Sequence, residues 1–183
     1  MRIAKAALGI AVVGSLLLGG ASAFGATTPT GGAINVFVVP SISGSGGTIV
    51  ITGAIGDYGK TVNSNAAGKP AKNGNYENLI MKNGTILVNG TQFNAATNAA
   101  SPTDFNAATC SGTFVASAPV PVVSGTKEYA GITGSVTLTA TFAFVGPFYK
   151  SGSKKGQCDT SNNAPQPSGF FASITGAGTV SFG

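Results

Sequence analysis

Few residues in this chain are equipped for chemistry. Its acids are Asp57, Glu77, Asp104, Glu128 and Asp159, its tyrosines Tyr58, Tyr76, Tyr129 and Tyr149, and its cysteines Cys110 and Cys158. There is no histidine, which removes the commonest general base and every Ser-His-Asp or Cys-His arrangement. Two cysteines without histidine cannot build a four-ligand structural zinc site of the usual N/S kind. Glycosidase chemistry needs two carboxylates facing each other across a sugar. Asp57 and Glu77, at strand ends around one loop, are the pair that could converge; solvated loop carboxylates are the plainer reading. Tyr58 and Tyr76 lie beside them, and a tyrosine at a barrel mouth can bind an aromatic or glycan ligand. More often a tyrosine caps a core while its hydroxyl finds a backbone partner, the role expected of Tyr129. Gly156–Asn163 holds several oxygen ligands, but its spacing matches no calcium loop. No catalytic, cofactor-binding or metal-binding residue is assigned. Tyr58, Tyr76, Asp57 and Glu77 stand as candidate ligand contacts at a barrel mouth.

The elements that position these groups begin after a targeting segment. Arg2 and Lys5 precede an apolar run from Ala6 to Gly20, and Ala21-Ser22-Ala23 supplies an A-x-A cleavage pattern. Residues 1–23 therefore read as a secretory signal peptide, too short in apolar length to anchor in a bilayer. Residues 24–183 are expected to form one secreted, extracellular domain with no integral membrane span. The formal charge of the whole chain is +5, and part of it leaves with Arg2 and Lys5. Scattered lysines without interleaved aromatics exclude a nucleic-acid footprint. The Lys150, Lys154 and Lys155 cluster reads as a solvated loop. An oxidising compartment predicts a Cys110–Cys158 disulfide.

Helical periodicity is scarce and strand alternation is frequent. Ala33–Pro40 is β-branched and apolar. Gly47–Asp57 places Ile49, Ile51 and Ile55 on one face. Tyr76–Phe93 reads as a hairpin with Asn83-Gly84 at a type I′ turn and Leu79, Met81, Ile86 and Val88 inward. Asn94–Thr109 reads as a long polar connection. Cys110–Ala118 and Val120–Val123 read as short strands, with Pro119 and Pro121 putting the second at an edge or bulge. Gly134–Val145 and Gly169–Phe182 alternate cleanly around the polar loop Gly146–Ser168. About eight strands with turn signals between them predict an all-β fold: a single antiparallel, eight-stranded closed barrel of up-and-down topology. Ile51-Thr52-Gly53, Ile132-Thr133-Gly134 and Ile174-Thr175-Gly176 repeat I-T-G, a glycine placement suited to bends or close approaches in a small barrel.

Within Val122–Leu138, the residues Gly125, Thr126, Tyr129, Ile132, Gly134 and Leu138 match a glycine-rich strand pattern, with Ser124 and Lys127 where that pattern has glycines. The stretch resembles the dirigent and allene oxide cyclase barrel group. Cys110-Ser111 through Pro119, Cys158-Asp159 and the terminal Gly176–Phe182 resemble secreted actinobacterial barrel proteins of no known activity. The resemblance covers the last 75 or so residues and implies an eight-stranded antiparallel barrel, a trimer in plant members, and either radical-coupling guidance or oxylipin cyclisation as activity. The polar pocket residues of those enzymes, arginine among them, have no counterpart after residue 23, where the chain contains no arginine.

Three function classes follow. The first is a non-enzymatic secreted barrel that binds a small apolar ligand or acts at the cell surface. The second is a cyclase-, isomerase- or dirigent-like barrel that steers a small-molecule reaction. The third is a structural or adhesive surface protein. An open interior favours the first two and a filled one the third.

Overall fold

The computed structural model describes residues 30–41, 46–161 and 163–183. The signal-peptide segment, residues 1–23, lies outside them. Eight strands run in chain order: β1 Gly32–Pro40, β2 Gly47–Gly53, β3 Asp57–Ser64, β4 Tyr76–Met81, β5 Gly84–Asn89, β6 Ser111–Gly125, β7 Ile132–Val145 and β8 Gly169–Phe182. Each pairs antiparallel with the next, and β8 returns to β1 through Gly32↔Val180 to Val38↔Ile174, so the sheet closes as an up-and-down barrel. Closure gives every strand two neighbours, so one-sided pairing is confined to the parts of the long strands that run past those neighbours.

Strand alternation decides what faces inward. Ile34 and Val36 of β1, Ile49 and Ile51 of β2, Met81 of β4, Ile86 and Val88 of β5, Val120 of β6, Ile132 and Val136 of β7 and Val180 of β8 form one buried core. Thr48, Thr52, Thr137, Thr175 and Thr179 face outward and are exposed.

The hairpin between β4 and β5 differs from the sequence expectation. Met81 pairs with Gly84, so the loop residues are Lys82 and Asn83. Neither has positive φ, while Gly84 does; the turn is not the Asn-Gly type I′ form. The two short strands around Pro119 are one 15-residue strand, β6. Both prolines nevertheless lie where β6 is half unpaired. The β5–β6 ladder covers only Val122–Gly125, with a register shift at Leu87/Val88, and everything before it pairs with β7 alone.

The connection ahead of β6 covers that free flank. It opens with a helix, α1 (Thr91–Ala99), that packs against β6. Farther along, the Thr103 N–H donates to the Thr113 carbonyl (3.1 Å). The Thr113 N–H in turn donates to Asp104 Oδ1 (2.5 Å). Asn106 and Ser111 exchange backbone bonds. α1 has no side-chain N-cap and no fully buried residue, so packing rather than propensity holds it.

Cys110 and Cys158 are joined, with Cα atoms 5.3 Å apart. The bond ties the start of β6 to the loop between β7 and β8. Among the described residues no helix is long and apolar enough to cross a membrane.

Candidate ligand-binding site

The two ends of the barrel are built differently. One end holds the β2–β3, β4–β5 and β6–β7 turns and is shut. There the segment after β6 forms a short 3-10 turn, Lys127–Tyr129, and the Tyr129 ring is buried in the core. The Tyr129 hydroxyl donates to Asp57 Oδ2 at 2.5 Å. The same carboxylate accepts the Asn83 N–H (2.9 Å) and the Tyr58 N–H (2.7 Å). Burial pushes the Asp57 carboxyl up, but the Tyr129 hydroxyl and the backbone donors outweigh it and hold the group below its ordinary value. Burial, then the Asp57 bond, raises the Tyr129 phenol above its ordinary range.

Thr126 completes the plug. Its hydroxyl oxygen accepts the Thr85 N–H (3.0 Å), and its own N–H donates to the Thr85 carbonyl (2.9 Å). A Cβ at Gly125 would collide with the Tyr129 carbonyl, so the tight approach of β6 to the turn requires glycine. Gly134 has φ +133° and would set a Cβ against the Thr179 carbonyl, which again only glycine tolerates. The residues of the glycine motif thus seal one end. Of the three I-T-G repeats, Gly53 shares the positive φ of Gly134, whereas Gly176 is confined by Leu138 instead.

The opposite end is open. A cavity of about 370 Å³ enters the barrel there. Its wall is apolar: Val36, Val38, Ile49, Leu79, Val88, Val120, Val136 and Leu138, with Phe93 of α1 and Phe142 of β7 toward the mouth. Its polar residues come mostly from the β3 and β4 side, Thr61, Asn63, Tyr76 and Glu77, joined by Asn75, Asn94 and, just after β1, Ser41. The β3–β4 register sets Thr61 opposite Leu79 and Asn63 opposite Glu77, so Thr61 and Glu77 share the inward face. Burial pushes the half-buried Glu77 carboxyl up, and the Thr61 hydroxyl only partly offsets this.

Strand length shapes the mouth. β6, β7 and β8 have 14 or 15 residues and β1–β5 have six to nine, so three strands project past the rest. Their inward faces carry phenylalanines. Phe114 and Phe142 stack at 4.7 Å between centroids, and Phe170 and Phe144 join them at 6.1 and 6.3 Å. Phe105 stacks on Phe144 at 6.5 Å. Phe142 belongs both to this ledge and to the cavity wall.

The structure separates the four candidate mouth residues. Tyr76 and Glu77 line the cavity, while Asp57 lies at the sealed end beneath Tyr129, at the other end of β3. That puts it roughly 20 Å away by strand rise. Tyr58 is exposed on the outer wall, where it pairs with Val50, which pairs with Phe37. Asp57 and Glu77 therefore do not converge. Of the remaining acids, Asp104 holds the flank of β6 and Asp159 accepts the Ser161 hydroxyl and N–H in its own loop. Thr61, Phe93 and Phe142 are site residues that sequence alone did not single out. Thr61 lies on an unrecognised strand, and Phe93 sits in a helix read as the end of a hairpin. No family model, curated protein or solved structure matches the chain.

Proposed function

We propose that this chain is a secreted barrel that binds a small apolar ligand inside its open end without transforming it. One observation carries the reading: the interior is not filled by its own side chains, and the space left is apolar, concave and rimmed by a few polar groups. Ligand sites of globular proteins have that composition and begin near this volume. The signal-like residues 1–23 support an extracellular setting, and the dirigent-like stretch Val122–Leu138 supports a barrel scaffold whose chemistry, if any, is set elsewhere.

Native mass spectrometry of the secreted protein tests this. An added mass that is lost on mild activation, together with saturable uptake of N-phenyl-1-naphthylamine reported by its fluorescence, is the expected result. Bare protein that leaves the dye dark would sink it in favour of a structural role at the surface. A second reading, a barrel that steers a cyclisation or isomerisation, draws on the Glu77 carboxyl, which sits against an apolar wall with a raised pKa. Turnover of a bound ligand would favour it over simple carriage.

A further inference from the structure

We propose that the cavity chooses its apolar ligand by head group, accepting a protonated amine and refusing a carboxylate; this rests on the ligand-binding reading above. Glu77 is the one charged residue lining the cavity, and no lysine lines it among the described residues. A carboxylate offers about four acceptor positions to a head group that donates. The neighbouring amides do not supply a counter-charge. Asn63 commits a side-chain N–H to the Lys72 carbonyl and Asn94 one to the Asn75 side chain. The rim therefore carries one formal charge, the Glu77 carboxylate, among neutral amides and hydroxyls.

A ligand whose apolar body lies against Leu79, Val88 and Val136 brings its head to this rim. An ammonium head would pair with Glu77 in a partly desolvated setting, where opposite charges attract more strongly than in water. A hydroxyl head would gain one hydrogen bond. A carboxylate head would meet like charge with no cation to offset it, and would have to surrender water or a proton. The ledge of Phe142, Phe114 and Phe170 at the opposite rim adds ring faces that also attract a cation. Discrimination thus comes as much from what the mouth repels as from what it holds.

Decylamine, decanol and decanoate, equal in chain length, are titrated at neutral pH against the secreted chain loaded with N-phenyl-1-naphthylamine. The expected order is decylamine, then decanol, then decanoate, with at least about a tenfold span between the extremes. Glu77→Gln, which keeps the shape and removes the charge, is expected to bring the amine and carboxylate within about threefold. Lys60→Gln, exposed on the outer face of β3, leaves the order intact. Equal affinities, a preference for decanoate, or an unchanged order in a folded Glu77→Gln protein would overturn the assignment. If neither the dye nor any of the three ligands binds, the ligand-binding reading itself fails, a result distinct from binding without head-group preference.

Discussion

At the scale of single residues, two carboxylates of similar sequence surroundings end in opposite circumstances. Asp57 precedes a tyrosine and Glu77 follows one, and from sequence both look like loop acids. Asp57 is buried, at 5% exposure, and accepts bonds from three donors, whereas Glu77 stands on the inward face with Thr61 against an apolar wall. The pH consequences differ in sign. Asp57 has a lowered folded pKa, so its stabilisation is complete above the unfolded value near pH 3.9 and fades as pH falls through the folded one. Asp57→Asn should flatten that acid limb in urea melts across pH. Tyr129→Phe, which removes the hydroxyl donor, should cost about 2 kcal/mol by the same measurement. Glu77 has a raised folded pKa, so it favours the folded state at low pH and loses that advantage as pH rises through the shifted value. Ser64 makes a separate point. Its hydroxyl is fully buried without a partner, and such a group costs more than it returns. Ser64→Ala should raise stability by about 1 kcal/mol; a loss would mean that the hydroxyl is satisfied in solution.

At the scale of elements, sequence periodicity recovered the long strands and missed those whose pattern is set by something other than burial. β1, β7 and β8 lie within a residue or two of the alternating runs, because their inward positions are uniformly apolar. β3 was invisible: Asp57, Gly59, Thr61 and Asn63 face inward, so polarity sits on the wrong side for a half-buried strand. The sequence count of eight strands came instead from splitting β6 at Pro119. α1 was missed because it has no side-chain cap and no apolar stripe; it forms by lying along the flank of β6 that Pro119 and Pro121 marked as an edge, though nothing in the sequence says what covers it. Of the site, Tyr76 and Glu77 were legible and Thr61, on β3, was not. The glycine motif was legible as structure, and its role is testable as such. Gly134→Ala demands positive φ from alanine and a collision with the Thr179 carbonyl. A loss of about 3 kcal/mol or more is expected, read by thermal melting; a neutral change would show that the β7–β8 seam can relax there.

At the scale of the whole molecule, the barrel has a sealed end made of hydrogen bonds and an open end braced by a covalent bond. The Cys110–Cys158 bridge closes a 48-residue separation, worth about 4 kcal/mol if it acts on unfolded-chain entropy. Reduction should lower the unfolding free energy by that order, read from the shift in denaturant midpoint multiplied by the m-value. The connectivity of the strands has a further meaning for how the chain reaches this state. Seven of the eight ladders join strands adjacent in sequence, the longest connection being the loop between Val145 and Gly169. The eighth, β1 to β8, joins the first strand to the last and must await nearly the whole chain. Until then both strands present bare edges, and β1 carries Phe37 and Val39 on its outer face. The β6–β7–β8 meander should therefore acquire amide protection early in pulse-labelled refolding and β1 late. A refolding chain at high concentration should be captured at that seam, exchanging β1 between copies before its own β8 can receive it.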